Sequence, residues 1–473
     1  MLPSIVSFDE LSRLLQGLLR PETDTIRQVE AALRRGLAQP TFICDLFEQI
    51  QRSPSAELRQ LAAVLVRRRI GAQWTKLEQA VRQQLQAILL SRLGSEPERL
   101  VRRSLTSVVS VVARHALPRG LWPELFSFLA ECSRSAAAEH RELSMQLLAS
   151  LLEAEDVIDA CLRPHFPLLA KTIQALLGDR EHPPVRQAAL KAIGAWVATL
   201  LEEPELLELL RPLLPHMLEL GGAAATGRDD ETLTLAFEIF YDMLEAEASA
   251  VSALLAPHIH AILDLALSTA TATVMEEGTR IAALNLASAA VENKRKLLVK
   301  QRLVAPLVAR LFEACADPES ALPDADDDDD DDDDVSVHRR AAQVLHSLAC
   351  HVPSKHAVPP ILECVGALAT SAEACRRRAA IVGLAMAAEG CQEPFADALD
   401  QLLPVVFAAC ADGVQGVREA ACVAIGVFAQ HLQPEIISHY EQVLPHIFMV
   451  RALRGPRTQR APRAHPARTK RAP

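Results

Sequence analysis

Val185-Arg186-Gln187-Ala188-Ala189-Leu190 opens on an apolar-Arg pair and runs on through Ile193, Val197, Leu200 and Leu201 at spacings of three and four. That period lays one apolar stripe along an α-helix. The opening returns at Ile26-Arg27-Gln28-Val29, Leu58-Arg59-Gln60-Leu61 and Val417-Arg418-Glu419-Ala420. Looser copies stand at Val101-Arg102-Arg103, Arg141-Glu142-Leu143, Arg280-Ile281-Ala282, Arg339-Arg340-Ala341 and Arg377-Arg378-Ala379. From Arg59 the marker falls at 102, 141, 186, 231 (where Glu231 takes the place), 280, 339, 377 and 418, in steps of 43, 39, 45, 45, 49, 59, 38 and 41. Only the step of 59 stands apart.

Between these helices runs a second series marked by Pro123, Pro167, Pro212, Pro257, Pro306, Pro359, Pro404 and Pro445. Proline is tolerated in a first helical turn, where its missing N–H would have no partner, so each is expected to open a helix. Two helices per repeat of this length is the pattern of an all-α HEAT-repeat solenoid, an α-α superhelix. Ten helical pairs are expected, beginning near Phe8, Thr41, Glu78, Pro123, His165, Pro212, Pro257, Arg302, Val358 and Ala398, with one unpaired helix at Glu441 to Val450. Stacked at about 8–10 Å per helix, they would form a curved rod on the order of 100 Å long. The expected divisions are 8–91, 92–450 with an acidic insert at 317–334, and a basic Pro/Arg-rich tail at 451–473.

Composition agrees: of 473 residues 50% are hydrophobic but only 4% aromatic, the Leu, Ala and Val mixture of closely packed helices. Eighteen glycines and no hairpin dipeptides between alternating runs leave no expectation of sheet. Met1 to Glu10 lacks the pattern of a secretory signal, and the longest apolar run, Ala420 to Ala429, falls short of the roughly 20 residues of a membrane span. Ten cysteines without a Cys-x-x-Cys pair read as buried free thiols of a reduced compartment.

No phosphate loop, His-Glu-x-x-His, Gly-x-Ser-x-Gly or dinucleotide fingerprint occurs, so no enzyme, cofactor or metal is expected. Gly221-Gly222 to Gly227 reads as a surface turn within the sixth pair. His346 and Cys350 have ligand spacing on one helix, yet zinc needs three or four ligands and no second pair is nearby, so a buried or capping role is expected. Trp74, Trp122 and Trp196 read as core.

The net charge of −11 is unevenly held: Asp317 to Asp334 contributes −12 and the tail from Arg451 contributes +8, leaving −7 for the body. The long step places about 14 extra residues inside the eighth pair, between Arg302 to Cys315 and Ser336 to His351. There Asp324, Asp326, Asp327, Asp328, Asp329, Asp330, Asp331, Asp332, Asp333 and Asp334 form a block that is either a solubilising loop or a contact for a basic partner. Arg67-Arg68-Arg69 closes the second helix of the second pair, offering its C-terminal dipole a countercharge or an acidic partner a patch. The tail has no acid and no periodicity, and begins where an eleventh repeat would turn back, leaving Val443, Leu444, Ile447 and Phe448 without a partner helix.

Leu58-Arg59-Gln60-Leu61-Ala62-Ala63-Val64-Leu65 followed by Arg67-Arg68-Arg69 and Trp74 resembles the N-terminal signature of importin-β-type nuclear transport receptors. Leu11 to Leu19, and Pro21-Glu22-Thr23-Asp24 with Ile26-Arg27, extend the resemblance, which covers residues 8 to about 450. It implies a monomeric receptor that shuttles between cytoplasm and nucleus and binds Phe-Gly nucleoporins. Basic cargo such as histones or ribosomal proteins would be released when the GTP form of Ran binds the N-terminal repeats. Neither membrane nor nucleic acid is implied as a partner. The resemblance also implies a Ran contact at an acidic loop of the eighth repeat, a role carried to Asp324 and Asp326 to Asp334. Family members are longer than this chain, so cargo sites on later repeats would be absent. A passive HEAT scaffold and a basic-protein chaperone stand as the alternatives.

Overall fold

In the computed structural model residues 5–20, 23–318 and 336–453 are described, and every regular element among them is helical. The first five pairs are α1 (Phe8–Leu18) with α2 (Thr23–Leu37), α3 (Phe42–Arg52) with α4 (Ala56–Gln73), α5 (Gln79–Ser95) with α6 (Arg99–Ala116), α7 (Glu124–Ser133) with α8 (Ala138–Leu152), and α9 (Phe166–Leu177) with α10 (Pro183–Glu202). The next five are α11 (Leu214–Gly227) with α12 (Asp230–Glu245), α13 (Ile259–Thr271) with α14 (Glu277–Lys300), α15 (Val304–Cys315) with α16 (Val337–His351), α17 (Ser354–Leu368) with α18 (Ala374–Ala388), and α19 (Leu399–Cys410) with α20 (Gln415–His431). The unpaired α21 (Tyr440–Leu453) follows. This is the expected HEAT-repeat solenoid of ten pairs and one helix.

Contacts divide the chain into two compact units, Met1–Leu265 and Ala266–Pro473. Within the first, second helices lie side by side in the order α4, α6, α8, α10, α12. Within the second the order is α14, α16, α18, α20, and first helices pack likewise, α15 on α17 and α19 on α21. Between the layers lie the apolar stripes. Trp74, Trp122 and Trp196 are all buried, as expected, and Trp196 meets the Phe166 ring edge-on at 4.8 Å. Five of the ten free thiols are buried, whereas Cys350 is exposed.

The recurring arginine proves to be the fourth residue of its second helix, at Arg59, Arg102, Arg141, Arg186, Arg280, Arg377 and Arg418. From there one guanidinium reaches back over the turn that joins the pair. Arg59 Nη1 donates to the carbonyls of Ser53 and Pro54, both at 3.0 Å, while Nε and Nη2 grip Glu96 of the next repeat at 2.9 and 2.7 Å. Arg141 repeats the arrangement on Ser135, Ala136 and Asp179, and Arg377 on Ser371, Ala372 and Asp412. Arg280 bonds the Ala270 carbonyl at 2.9 Å and Asp317 at 2.6 Å. The acid in turn accepts its own turn's N–H, Glu98 on Glu96 and Val414 on Asp412. A buried ion pair of this kind holds register because leaving either partner alone is expensive.

Four expectations need correction. Pro359, Pro404 and Pro445 each sit sixth in their helix, since α17, α19 and α21 begin a full turn earlier than the proline. In the sixth and seventh pairs that extra turn is a separate short helix, Leu207–Leu210 and Ser249–Leu255, with Pro212 and Pro257 at the joint, because proline removes the bond that would carry the helix through. Gly221, Gly222 and Gly227 are all inside α11, and the turn is made instead by Arg228 in the left-handed region (φ 56°). A Cβ on Gly221 would lie 2.7 Å from Leu265, so the first glycine serves a close helix contact. In the eighth pair the fourth residue is Arg340 rather than Arg339, and it bonds Asn285 at 2.7 Å. Finally, Val443 is buried, so the open stripe of α21 comprises Leu444, Ile447 and Phe448 alone.

Two outcomes follow from the arginine pairs. Asp412 has Arg377 as its ion-pair partner, so Arg377→Met should cost about 3 kcal/mol, while Arg377→Met with Asp412→Leu should recover part of it, as read by urea unfolding followed by circular dichroism. Burial pushes the Glu96 and Asp179 carboxyls up, but hydrogen bonds from Arg59 and Arg141 prevail and hold both below their ordinary values. At Asp412 the hydrogen bond from Arg377 is the leading cause of the same lowering. Their stabilisation is complete above the unfolded value of about 4 and drains away as pH falls through the lower folded values, so Glu96→Gln with Asp179→Asn should flatten the acid limb of a stability–pH curve.

Candidate partner-binding surfaces

Arg67, Arg68 and Arg69 lie exposed on α4, with no ion-pair partner among the described residues. The helix continues to Gln73 and its last turn holds no base, so the helix-dipole role is not theirs. Three solvated guanidiniums on consecutive residues point in three directions around the helix. They form an electrostatic patch rather than a shaped pocket.

The aspartate block, Asp324 and Asp326 to Asp334, lies outside the described residues, between α15 and α16. Asp317, counted with it from sequence, is buried and held by Arg280 at 2.6 Å. It belongs to the inter-repeat lock and not to an acidic surface. His346 is half-exposed, its Nδ1 3.1 Å from the Met386 carbonyl and its Nε2 3.8 Å from Cys350 Sγ. Among the described residues no three His, Cys, Asp or Glu side chains are gathered to hold a metal.

A site that motif reading missed is a groove of about 780 Å³ across the inner faces of α6, α8, α10 and α12. Near the helix N-termini two ion pairs stand in it, Arg99 Nη2 3.1 Å from Glu142 and Lys191 Nζ donating to Glu231 at 2.6 Å, beside Arg102, Arg103 and Glu139. Toward the C-termini stand Glu153, Glu238 and Asp242. Leu100, 63% exposed, lines the opposite end. The paired residues are 43 and 40 apart in sequence, so no local motif joins them; only the repeat period superimposes Glu142, Gln187 and Glu231 on neighbouring helices. A smaller groove of about 340 Å³ lies on α16, α18 and α20, walled by Ala342, Val382 and Met386 with Arg378 and Glu419 at its rim.

Comparison with known proteins agrees with this architecture. Residues 97–265 match the family described as IPO5-like, TPR repeats. The chain is 28% identical over 388 residues to importin-4 of Mus musculus, covering 80% of this chain and 35% of that protein. Against importin-4 of Homo sapiens the identity is 27%, with 80% and 35% covered. Against the probable importin subunit beta-4 of Schizosaccharomyces pombe it is 26%, with 84% and 36% covered. The chain thus spans about a third of the length of the curated relatives it matches. Among solved structures, Kap121p bound to RanGTP superposes with a TM-score of 0.74 at 22% identity, covering 92% of this chain and 42% of that one, and Kap121p alone gives 0.77. The chain shares the repeat fold of Kap121p, and in sequence it is similar to importins of the importin-β type. The two importin-4 proteins are the relatives it resembles at 27–28% identity.

Exposed and unpaired arginines contribute little to folding, so Arg67→Ser with Arg68→Ser and Arg69→Ser should change stability by no more than about 0.5 kcal/mol in a thermal melt. Any larger loss of partner binding would then be a property of the surface itself.

Proposed function

We propose that this chain is a nuclear transport receptor, or the N-terminal part of one, that binds Ran in its GTP form and carries basic protein cargo such as histones or ribosomal proteins. It acts as a monomer, shuttles between cytoplasm and nucleus through contacts with Phe-Gly nucleoporins, and works by binding alone, without catalysis. The observation that carries this reading is the match of 92% of the chain to Kap121p captured with RanGTP, together with the importin relatives in sequence. Kap121p has also been captured with Nup53p, which supports the nucleoporin contact, and with Pho4p and Ste12p.

Two charged features are assigned contacts under this reading. Arg67, Arg68 and Arg69 form an N-terminal patch for an acidic partner surface. Asp324 and Asp326 to Asp334 form an acidic contact for Ran or for basic cargo, many weak and salt-screened pairs acting together.

Immobilised chain should capture Ran loaded with GTP and leave Ran loaded with GDP in solution. Equal capture of both forms, or of neither, overturns the reading. Replacing Asp326 to Asp334 by Ser should weaken the GTP-form complex and flatten its dependence on salt.

A further inference from the structure

Six arginines stand on α16, α18 and α20, and five of them are held. Arg340 donates to Asn285 at 2.7 Å, Arg376 to Glu373 at 3.1 Å, Arg377 to Asp412 at 2.7 Å and Arg418 to the Asp412 carbonyl at 2.8 Å, while Arg339 is engaged with a neighbour. Arg378 alone has no hydrogen-bond or ion-pair partner among the described residues, although it is half-buried at the rim of the 340 Å³ groove across these helices. A guanidinium drawn partly out of water without a carboxylate is destabilising, and nothing in the fold offsets that cost here. The other titratable groups of the lining do not answer it. Glu419, the one carboxylate among them, takes the Gln415 amide at 3.0 Å, and His338 meets the Ser336 hydroxyl at 3.2 Å. Cys315 stays neutral, since burial pushes its thiol up to about 12 against the opposing pull of Arg378.

The rest of the lining is apolar. On α18 Val382, Ala385 and Met386 follow Arg378 at spacings of four, three and one, which is one face of the helix. Ala342 on α16 and Ala420 and Val423 on α20 complete the walls, with Val423 57% exposed. Small side chains leave a slot between the helices, and a methionine beside them adapts to what is laid on it. At about 340 Å³ the groove is at the small end of binding clefts, which run upward from about 300 Å³, so it takes a few side chains and not a domain. An apolar slot with one free guanidinium at its edge suits an aliphatic side chain and a carboxylate carried on the same short segment. A nucleic acid fits it poorly: phosphates come in a row, and the lining offers one free guanidinium and no Phe, Tyr or Trp on which a base could stack.

We infer that the groove across α16, α18 and α20 binds a short acidic and aliphatic segment of a protein partner, its carboxylate on Arg378 and a large aliphatic side chain on Val382, Met386 and Val423. The inference goes beyond the receptor reading and does not depend on it, because its ligand is opposite in charge to basic cargo.

The probe is a fluorescein-labelled peptide, Gly-Ser-Leu-Asp-Leu-Ser-Gly, followed by anisotropy on the full chain. Arg378→Gln should weaken binding about tenfold and Arg378→Lys less, while Arg376→Gln, outside the groove lining, leaves it unchanged. Val423→Ser should weaken it about threefold. Changing the peptide's Asp to Lys should abolish binding, and changing both leucines to Ser should weaken it and make it indifferent to Val423→Ser. Circular dichroism confirms that each variant is folded, and Arg378 has no partner to strand. If the Arg378→Gln variant binds the peptide as well as the parent chain does, or the lysine peptide binds as tightly as the acidic one, the groove assignment fails. It fails too if the parent chain binds no acidic peptide, or binds a labelled oligouridylate in its place with the loss at Arg378→Gln. Capture of RanGTP by the parent chain tests the receptor reading separately, so either can fail alone.

Discussion

A guanidinium carries five donors in a fixed fork, and in this protein that fork meets a recurring need: the turn between two helices leaves carbonyls without partners. An arginine at the fourth residue of the second helix reaches back to those carbonyls with one nitrogen and keeps two for a carboxylate of the following repeat, as Arg59 does for Glu96 and Arg377 for Asp412. A single side chain therefore closes its own turn and fixes the register of the next. The spacing of the chain follows from that double duty, since the acid must fall in a turn and the arginine one helical turn beyond it.

Where the lock is absent, the local structure changes with it. In the sixth pair the fourth residue is Leu233, and Asp229 caps the helix instead, accepting from Thr232 N–H at 3.1 Å and Thr232 Oγ1 at 2.6 Å. In the eighth pair, whose joining segment carries the aspartates, Arg340 turns sideways to Asn285 on α14. The arginine locks between repeats thus sit at the turns, and the faces of the second helices carry charges of another kind. The groove across α6, α8, α10 and α12, with the Arg99–Glu142 and Lys191–Glu231 pairs in its lining, shows those charges in use.

The helical pairs were legible because their apolar stripes repeat on a period that needs no distant information. Their exact edges were less so. Pro359 and Pro404 look like helix starts by local rule, yet packing against the neighbouring repeat sustains a further turn ahead of each. Gly221 and Gly222 look like a turn, yet Gly221 admits Leu265 and the helix runs on. Asp317 looks like the start of an acidic run, yet Arg280 removes it into the core. In each case a residue's role was decided by a neighbour more than 35 positions away or by the next layer.

Sequence by itself determined the class of fold, the number of pairs, the buried tryptophans and the position of the insert, because periodicity and composition are properties of contiguous residues. It also carried the resemblance that the family comparison supports. Only the tertiary structure decided which arginines are locks and which are surface, and it alone brought Glu153, Glu238 and Asp242 to one end of one groove. Those outcomes depend on which face of each helix meets its neighbour, and that choice is made by packing between repeats rather than within them.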